Sequence, residues 1–229
     1  MDNGWANSAA AWIAAQGETG DFGRQHVLDR PMLARLRGRG FARALDVGCG
    51  EGRFCRMMRA QGIAATGIDP TEALIDEACR RDPDGDYRVG RAESLDFSDN
   101  SFDLAISYLS LIDIPDACAG LAEMARILRP GGTLLIANLN GFATAGQRLG
   151  DGRMVIDDYL TERAAWLQWD GIRMRNWHRP MQYYMSALLD LGLILRHFAQ
   201  PSPSGGDPAK VARHVRIPYF HIMEWQVPT

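Results

Sequence analysis

Leu45-Asp46-Val47-Gly48-Cys49-Gly50-Glu51-Gly52 is the stretch on which the reading of this chain turns. An apolar run ends in an acidic residue, glycine then takes every second position, and Arg53-Phe54 opens a helical pattern. Glycine accepts positive φ without strain and lets backbone approach a ligand with no Cβ between them. A strand, a Gly-rich turn and a helix N-terminus in succession make a cradle for part of a nucleotide-like cofactor.

Outward from the octet, apolar periodicity alternates between strand and helix. Residues 44–47 form a first strand, and the helix after it carries Phe54, Met57 and Met58 and stops at Gly62. Residues 64–69 form a second strand ending in Asp69-Pro70; a helix from Thr71 follows, with Leu74, Ile75, Ala78 and Cys79 on one face. Residues 87–90 read as a third strand that leads into Arg91-Ala92-Glu93. The near-continuous apolar run at 102–109 fits a strand buried on both faces of a parallel sheet. It ends in Ser107-Tyr108, where a switch-point crevice should open. A helix on Ile114, Cys118, Leu121, Ala125 and Leu128 is ended by Arg129-Pro130-Gly131-Gly132, and 133–139 is the fifth strand. The alternation predicts an α/β fold with a doubly wound parallel sheet.

Flanking segments complete one domain over 1–229. Helices at 4–16 and about 29–36 lie over the cofactor cradle as an N-terminal segment ending near residue 40. Arg24, in the glycine-rich loop between them, is the residue expected to reach the cradle. Residues 141–178 change character, contain Trp166, Trp169 and Trp177, and read as an inserted cap. Pro180 then opens a helix, and two last strands at 193–198 and 219–225 are joined by a proline- and serine-rich loop expected to be mobile.

The bulk numbers narrow the class. With 46% hydrophobic and 23% charged residues among 229, the chain can bury a substantial core. A net charge of −3, with Lys210 the one lysine, provides no electrostatic footprint for nucleic acid. The 4 cysteines have no Cys-x-x-Cys spacing and no paired histidines, so neither a metal site nor a disulfide framework is expected. The first residues lack a secretory pattern, and no apolar stretch approaches the ~18 residues of a membrane span, so the expected compartment is the reducing cytoplasm.

Charge selects the cofactor. A triphosphate-binding loop needs Gly-Lys-Ser/Thr where the chain has Gly52-Arg53-Phe54. A dinucleotide fold wants a third glycine where Arg53 stands, and Asp46 would face the pyrophosphate with like charge. S-adenosyl-L-methionine has no phosphate and carries a sulfonium and an ammonium, which carboxylates attract. Its ribose diol can be met by Asp69, which follows Gly50 at close to the ~20-residue offset that serves a ribose elsewhere.

The segment 44–52 resembles motif I of class I S-adenosylmethionine-dependent methyltransferases nearly letter for letter. Gly67-Ile68-Asp69, Ser98-Asp99-Asn100-Ser101-Phe102-Asp103 and Leu128-Arg129-Pro130-Gly131-Gly132 are similar to that family's later motifs, in order and spacing. The nearest subgroup includes quinone-biosynthesis and other small-molecule enzymes. The resemblance implies a Rossmann-like seven-stranded sheet of order 3-2-1-4-5-7-6 with its last strand antiparallel. It also implies S-adenosyl-L-homocysteine as product. By the same resemblance Gly48, Cys49 and Gly50 meet the methionyl part, Asp69 with Pro70 takes the ribose, and Ala92 and Glu93 pack on adenine. Ser107 borders the cofactor. Arg91 stands where the subgroup carries Asp, and Asp113 where it often carries His.

The acceptor is read from the end of the cap. Asn176-Trp177-His178-Arg179 gathers an amide, an indole, an imidazole and a guanidinium, and Tyr108 at the end of the fourth strand is a further candidate to bind the substrate. His178 is expected as the general base, and Arg179 as partner to an anionic group. His26, Asp113 and His221 are further candidates for the base. Ser107-Tyr108-Leu109-Ser110 is not the Asn/Asp-Pro-Pro-Tyr/Phe segment of methyltransferases acting on nucleic-acid bases. The expected acceptor is a small aromatic or heteroaromatic metabolite methylated on O or N. The alternatives are a silent cofactor-binding scaffold and a nucleic-acid methyltransferase; monomer and homodimer both stay open.

Overall fold

The computed structural model describes residues 3–229; Met1 and Asp2, part of the segment read as lacking a secretory pattern, lie outside the described residues. Helix α1 (Trp5–Gln16), a π-helical turn (Arg24–Leu28) and α2 (Asp29–Ala34) precede the octet. The expected alternation follows as β1 (Arg43–Val47), α3 (Arg53–Arg59), β2 (Ala64–Asp69), α4 (Glu72–Arg81) and β3 (Asp86–Val89). It continues as β4 (Phe102–Tyr108), α5 (Ala117–Arg126) and β5 (Leu128–Leu139). The last third holds α6 (Gly141–Ala145), β6 (Gly146–Arg148), β7 (Met154–Ile156), β8 (Arg163–Trp169) and β9 (Ile172–His178). Then come α7 (Met181–Asp190), β10 (Ile194–Ala199), α8 (Pro208–Arg216) and β11 (Phe220–Gln226).

Seven strands form one sheet in the order β10-β11-β5-β4-β1-β2-β3, which is the expected 3-2-1-4-5-7-6. Pairing is parallel from β3 to β5, whereas β11 runs antiparallel to both β5 and β10. β4 is buried at every position, because helices cover both faces of the sheet centre. Its residues alternate between two cores: Ala105 packs with Leu121, Met124 and Trp225 on one face, Leu104 and Ile106 with Met32, Phe54 and Met58 on the other.

Two expectations change. The Arg129–Gly132 turn is absorbed into β5 as an irregularity: Phe102 pairs with Leu128 and Leu104 with Thr133, and Gly131 takes a φ of 76° there. The loop 201–208 expected to be mobile ends in α8, a helix the sequence reading did not place, whose start is fixed by Asp207 accepting from the Lys210 backbone N–H at 2.9 Å and by Pro208 in the first turn. Within 141–178, β6 pairs with β7 and β8 with β9 as two antiparallel hairpins. No described helix is long and apolar enough to cross a membrane.

A charged clamp fastens the N-terminal segment to the sheet. Glu224, on β11 and 2% exposed, accepts from Arg35 Nε and Arg39 Nη1, both at 2.6 Å. Burial opposes ionisation of this carboxyl, but the two guanidiniums outweigh it and hold it below the usual range. Its contribution to stability is present above the ordinary glutamate range and is lost as pH falls below it. Glu224→Ala should destabilise by about 2–3 kcal/mol, discounted because the arginines can turn to water. Chemical denaturation at pH 7 checks this, and the difference from wild type should shrink in acid.

Candidate functional site

At the carboxyl ends of β1, β2 and β4, where the strand order reverses, lies a cavity of about 480 Å³. This is in the range that holds a small organic ligand. Its floor is the glycine turn. Gly48, Gly50 and Gly52 have φ of 79°, 55° and 76°, which a side chain would strain. A Cβ on Gly48 would also fall 2.4 Å from that of Ser110, while Gly50 faces open space. Gly48 and Cys49 both donate to the Ile68 carbonyl, at 2.8 and 2.9 Å, which ties the turn to the end of β2.

Two carboxylates are fixed above this floor. Asp69 accepts from Gly50 N at 3.1 Å and from Thr71 N at 2.9 Å, yet burial still raises its pKa. Asp46 is 1% exposed; Oδ2 takes the Cys55 thiol at 3.5 Å and Oδ1 has no partner. Burial pushes this carboxyl up to about 7, and the charges of Asp69 and Glu51 add to the effect. Asp113, on the loop after β4, is pushed up to about 8 by burial, with hydrogen bonds from Trp5 and Asn176 opposing. Buried acids with an orphaned oxygen suit a cationic ligand and repel phosphate. This is the electrostatic test that S-adenosylmethionine passes.

Most of the expected residues meet at this cavity. Arg24, Asp46, Gly48, Cys49, Gly50, Asp69 and Pro70 line it, and so do Ala92, Glu93, Tyr108 and Asn176. Arg24 pairs with Asp21 at 2.8 Å and lies 5.0 Å over the Trp12 ring. Tyr108 donates to Asp29 at 2.8 Å, a carboxylate also held by Arg53. Glu93 is engaged by the exposed Arg91 at 3.0 Å.

Ser107, Trp177, His178 and Arg179 lie outside the cavity lining. Ser107 is buried beneath it and shares a 2.8 Å hydrogen bond with Ser110, which donates to Val47 O at 2.6 Å. Both His178 nitrogens are committed inside the cap, Nε2 to the Tyr159 carbonyl at 2.8 Å and Nδ1 to Thr144 Oγ1 at 2.7 Å. That geometry corrects the expectation of a base at His178: a ring bonded on both sides has no lone pair for an acceptor. Arg179 is likewise spent. It donates to Glu162 at 2.7 Å and to the carbonyls of Leu111, Ile114 and Pro115 at 3.0, 3.0 and 2.7 Å. The Trp177 backbone N–H donates to Ile112 O at 2.7 Å, and its indole packs 4.7 Å from the Arg179 guanidinium. Trp177 and Arg179 latch the cap to the loop after β4, and His178 ties parts of the cap to one another. Of the other base candidates, Asp113 lines the cavity, whereas His26 and His221 do not. His221 is fully buried on β11, and burial pushes its pKa down to about 4.

Sequence reasoning missed Trp5 and Trp12 of α1 and Lys210, Arg213 and His214 of α8, all at the cavity wall. The cap signal at Asp207-Pro208 would have placed α8.

A Rossmann-like sheet with an acidic, phosphate-repelling cradle at its switch point defines a fold for S-adenosylmethionine. A family model described as a methyltransferase domain matches residues 45–136. The chain belongs to the class I S-adenosylmethionine-dependent methyltransferases. It is 32% identical over 189 residues to the malonyl-[acyl-carrier protein] O-methyltransferase of Serratia marcescens, spanning 81% of this chain and 68% of that one. It is 33% identical over 118 residues to the demethylmenaquinone methyltransferase of Beutenbergia cavernae, 52% of this chain and 49% of that one. A crystal structure of an S-adenosylmethionine-dependent methyltransferase from Mesorhizobium loti matches with a TM-score of 0.75 and 26% identity, over 86% of this chain and 96% of that one.

Asp46 makes the ligand-free protein pH-sensitive. Its folded pKa lies above the unfolded value of 3.8, so this group's contribution to stability declines as pH rises from 3.8 to about 7. Asp46→Asn should therefore raise the melting temperature of the ligand-free protein at pH 8, by on the order of 2–4 kcal/mol of stability. The same change should weaken S-adenosylmethionine binding at least tenfold. Calorimetric melting and cofactor titration on the same preparations check both.

Proposed function

We propose that this chain transfers the methyl group of S-adenosylmethionine to an oxygen or nitrogen of a small aromatic or heteroaromatic metabolite, by in-line displacement. The observation that carries the acceptor class is the aromatic wall beyond the cofactor cradle: Trp12, Phe22, Tyr108, Trp169, Tyr219 and Phe220 all line the cavity. Such rings bury flat apolar area and stack on a planar acceptor.

Bound S-adenosylmethionine supplies a methyl group already activated on a positively charged sulfur. The chain's own task is to place the acceptor atom ~3–3.5 Å from the methyl carbon and exclude water. In this reading Asp46 and the 48–50 turn hold the methionyl end, Asp69 takes the ribose hydroxyls, and the backbone at Ala92 packs on adenine. Asp113 is fixed between Trp5 of α1 and Asn176 of β9, so it marks where the N-terminal segment and the cap close on the cofactor. Residues 1–40 and 141–178 are the closing parts of a single domain, working in the cytoplasm without nucleic acid or membrane.

A second reading, a carboxylate acceptor on an acyl chain, draws support from Lys210 and Arg213, which stand at the cavity with no carboxylate of the described residues within ion-pair distance. The malonyl-carrier relative points the same way. Formation of S-adenosylhomocysteine across a panel of phenols, heteroaromatic amines and acyl thioester carboxylates separates the two. Turnover confined to the thioesters would overturn the aromatic reading. No turnover on any member, with cofactor binding intact, would instead identify a silent binding module. Salt-dependent RNA or DNA binding is expected to be absent.

A further inference from the structure

His214 takes no part in the cofactor cradle, yet it lines the cavity on the side of the aromatic wall. Its ring is held by three aromatic neighbours: centroids of Tyr219, Phe22 and Phe220 lie at 4.6, 4.9 and 6.0 Å. Nδ1 sits 2.8 Å from the Lys210 carbonyl. A carbonyl only accepts, so Nδ1 carries the proton and Nε2 is left as a bare lone pair. Among the described residues Nε2 has no hydrogen-bond partner, and it is not among the buried unpartnered atoms, so it keeps accessible surface on a residue that lines the cavity. His178 is the contrasting case, with both nitrogens used.

We propose that His214 Nε2 is the general base that accepts the hydroxyl proton of a phenolic acceptor seated against Tyr219 and Phe22. The inference rests on the aromatic-acceptor reading and deepens it to acceptors that ionise on oxygen. The hydroxyl proton passes to Nε2, an oxygen lone pair forms the new C–O bond, and the electrons of the broken C–S bond stay on sulfur as a neutral thioether. The helix fixes the tautomer before the acceptor arrives, so no proton has to be rearranged within the ring.

The charges around the ring suit this role. Arg213 on the same helix and Arg148 on β6 face it, the latter donating to the Tyr219 hydroxyl at 2.7 Å. Asp21, itself paired with Arg24, is the acid on that side, and the Lys210 ammonium lies 5.7 Å from the Phe22 ring. Burial first, and then the two arginines, hold the imidazole pKa below 6.5 despite the Lys210 carbonyl and Asp21. The base is therefore neutral at pH 7, and the arginines favour an oxygen that is becoming anionic.

The test uses 4-nitrophenol, whose absorbance reports its own ionisation, added to the full chain saturated with S-adenosylhomocysteine. In wild type the bound phenol should show its phenolate band at a pH about one unit below that of the free phenol. His214→Gln should return the midpoint to the free value while leaving S-adenosylhomocysteine affinity within twofold, and should cut phenol turnover about 100-fold or more. In parallel, nitrogen-15 spectra of wild type should show His214 protonated on Nδ1, titrating below 6.5, and perturbed by 4-nitrophenol. This reading needs no variant to fold. Identical midpoints in wild type and His214→Gln, or an Nε2-protonated ring, would overturn the proposal and leave the aromatic reading standing. Failure of 4-nitrophenol and every other phenol to bind would overturn the proposal, and failure of the heteroaromatic amines as well would overturn the aromatic reading with it.

Discussion

A carboxylate sealed at the end of the central strand is the constraint around which this protein is arranged. β1 is flanked by β2 and β4, so the side chain of Asp46 emerges in the middle of the sheet, almost fully buried at the edge of the cavity. Among the described residues the weak thiol of Cys55 is its one donor. Such a group is unfavourable in a low-dielectric interior until a cation arrives. The surroundings keep the geometry in place meanwhile. Ser110, braced by Ser107, bonds the last carbonyl of β1, and the Ile68 carbonyl gathers the first two N–H groups of the glycine turn. Stability is given up at one atom so that binding can recover it.

The cap reverses the roles assigned to its most reactive-looking residues. Arg179 spends its donors on three backbone carbonyls and Glu162, so its charge organises a loop. Buried guanidinium groups do this well, since their fork of donors can satisfy several acceptors at once. The loop it organises carries Asp113, which reaches both the cap and α1. Chemistry at the cavity is thus supported by residues that never touch it.

The fold and the cofactor half of the site were legible because they depend on local rules. Glycine spacing, the apolar run of β4 and carboxylates at the ends of β1 and β2 are each readable within a few residues. The far wall of the cavity was not, because it depends on which hydrogen bonds a side chain has already made. Asn176-Trp177-His178-Arg179 looked like a site by composition, and its partners at Tyr159, Thr144 and the 111–115 loop are invisible in sequence. His214 failed in the opposite direction. Its helix follows a proline- and serine-rich stretch whose flexible look outweighed the cap at Asp207.

Ser8 of α1 exchanges hydrogen bonds with the backbone of Arg173 across 165 residues of sequence, and Asn3 and Arg175 extend the contact. The cavity therefore has walls drawn from widely separated parts of the chain, from Asn3 to Phe220. Contacts of such long separation form late, after the local βα units have condensed. On the ribosome, α1 must wait until β9, the strand it docks on, has been made. A nascent chain can thus own a complete sheet core and a Gly-rich turn while its cofactor cradle still stands open to water. Closure of the compartment follows the sheet rather than leading it.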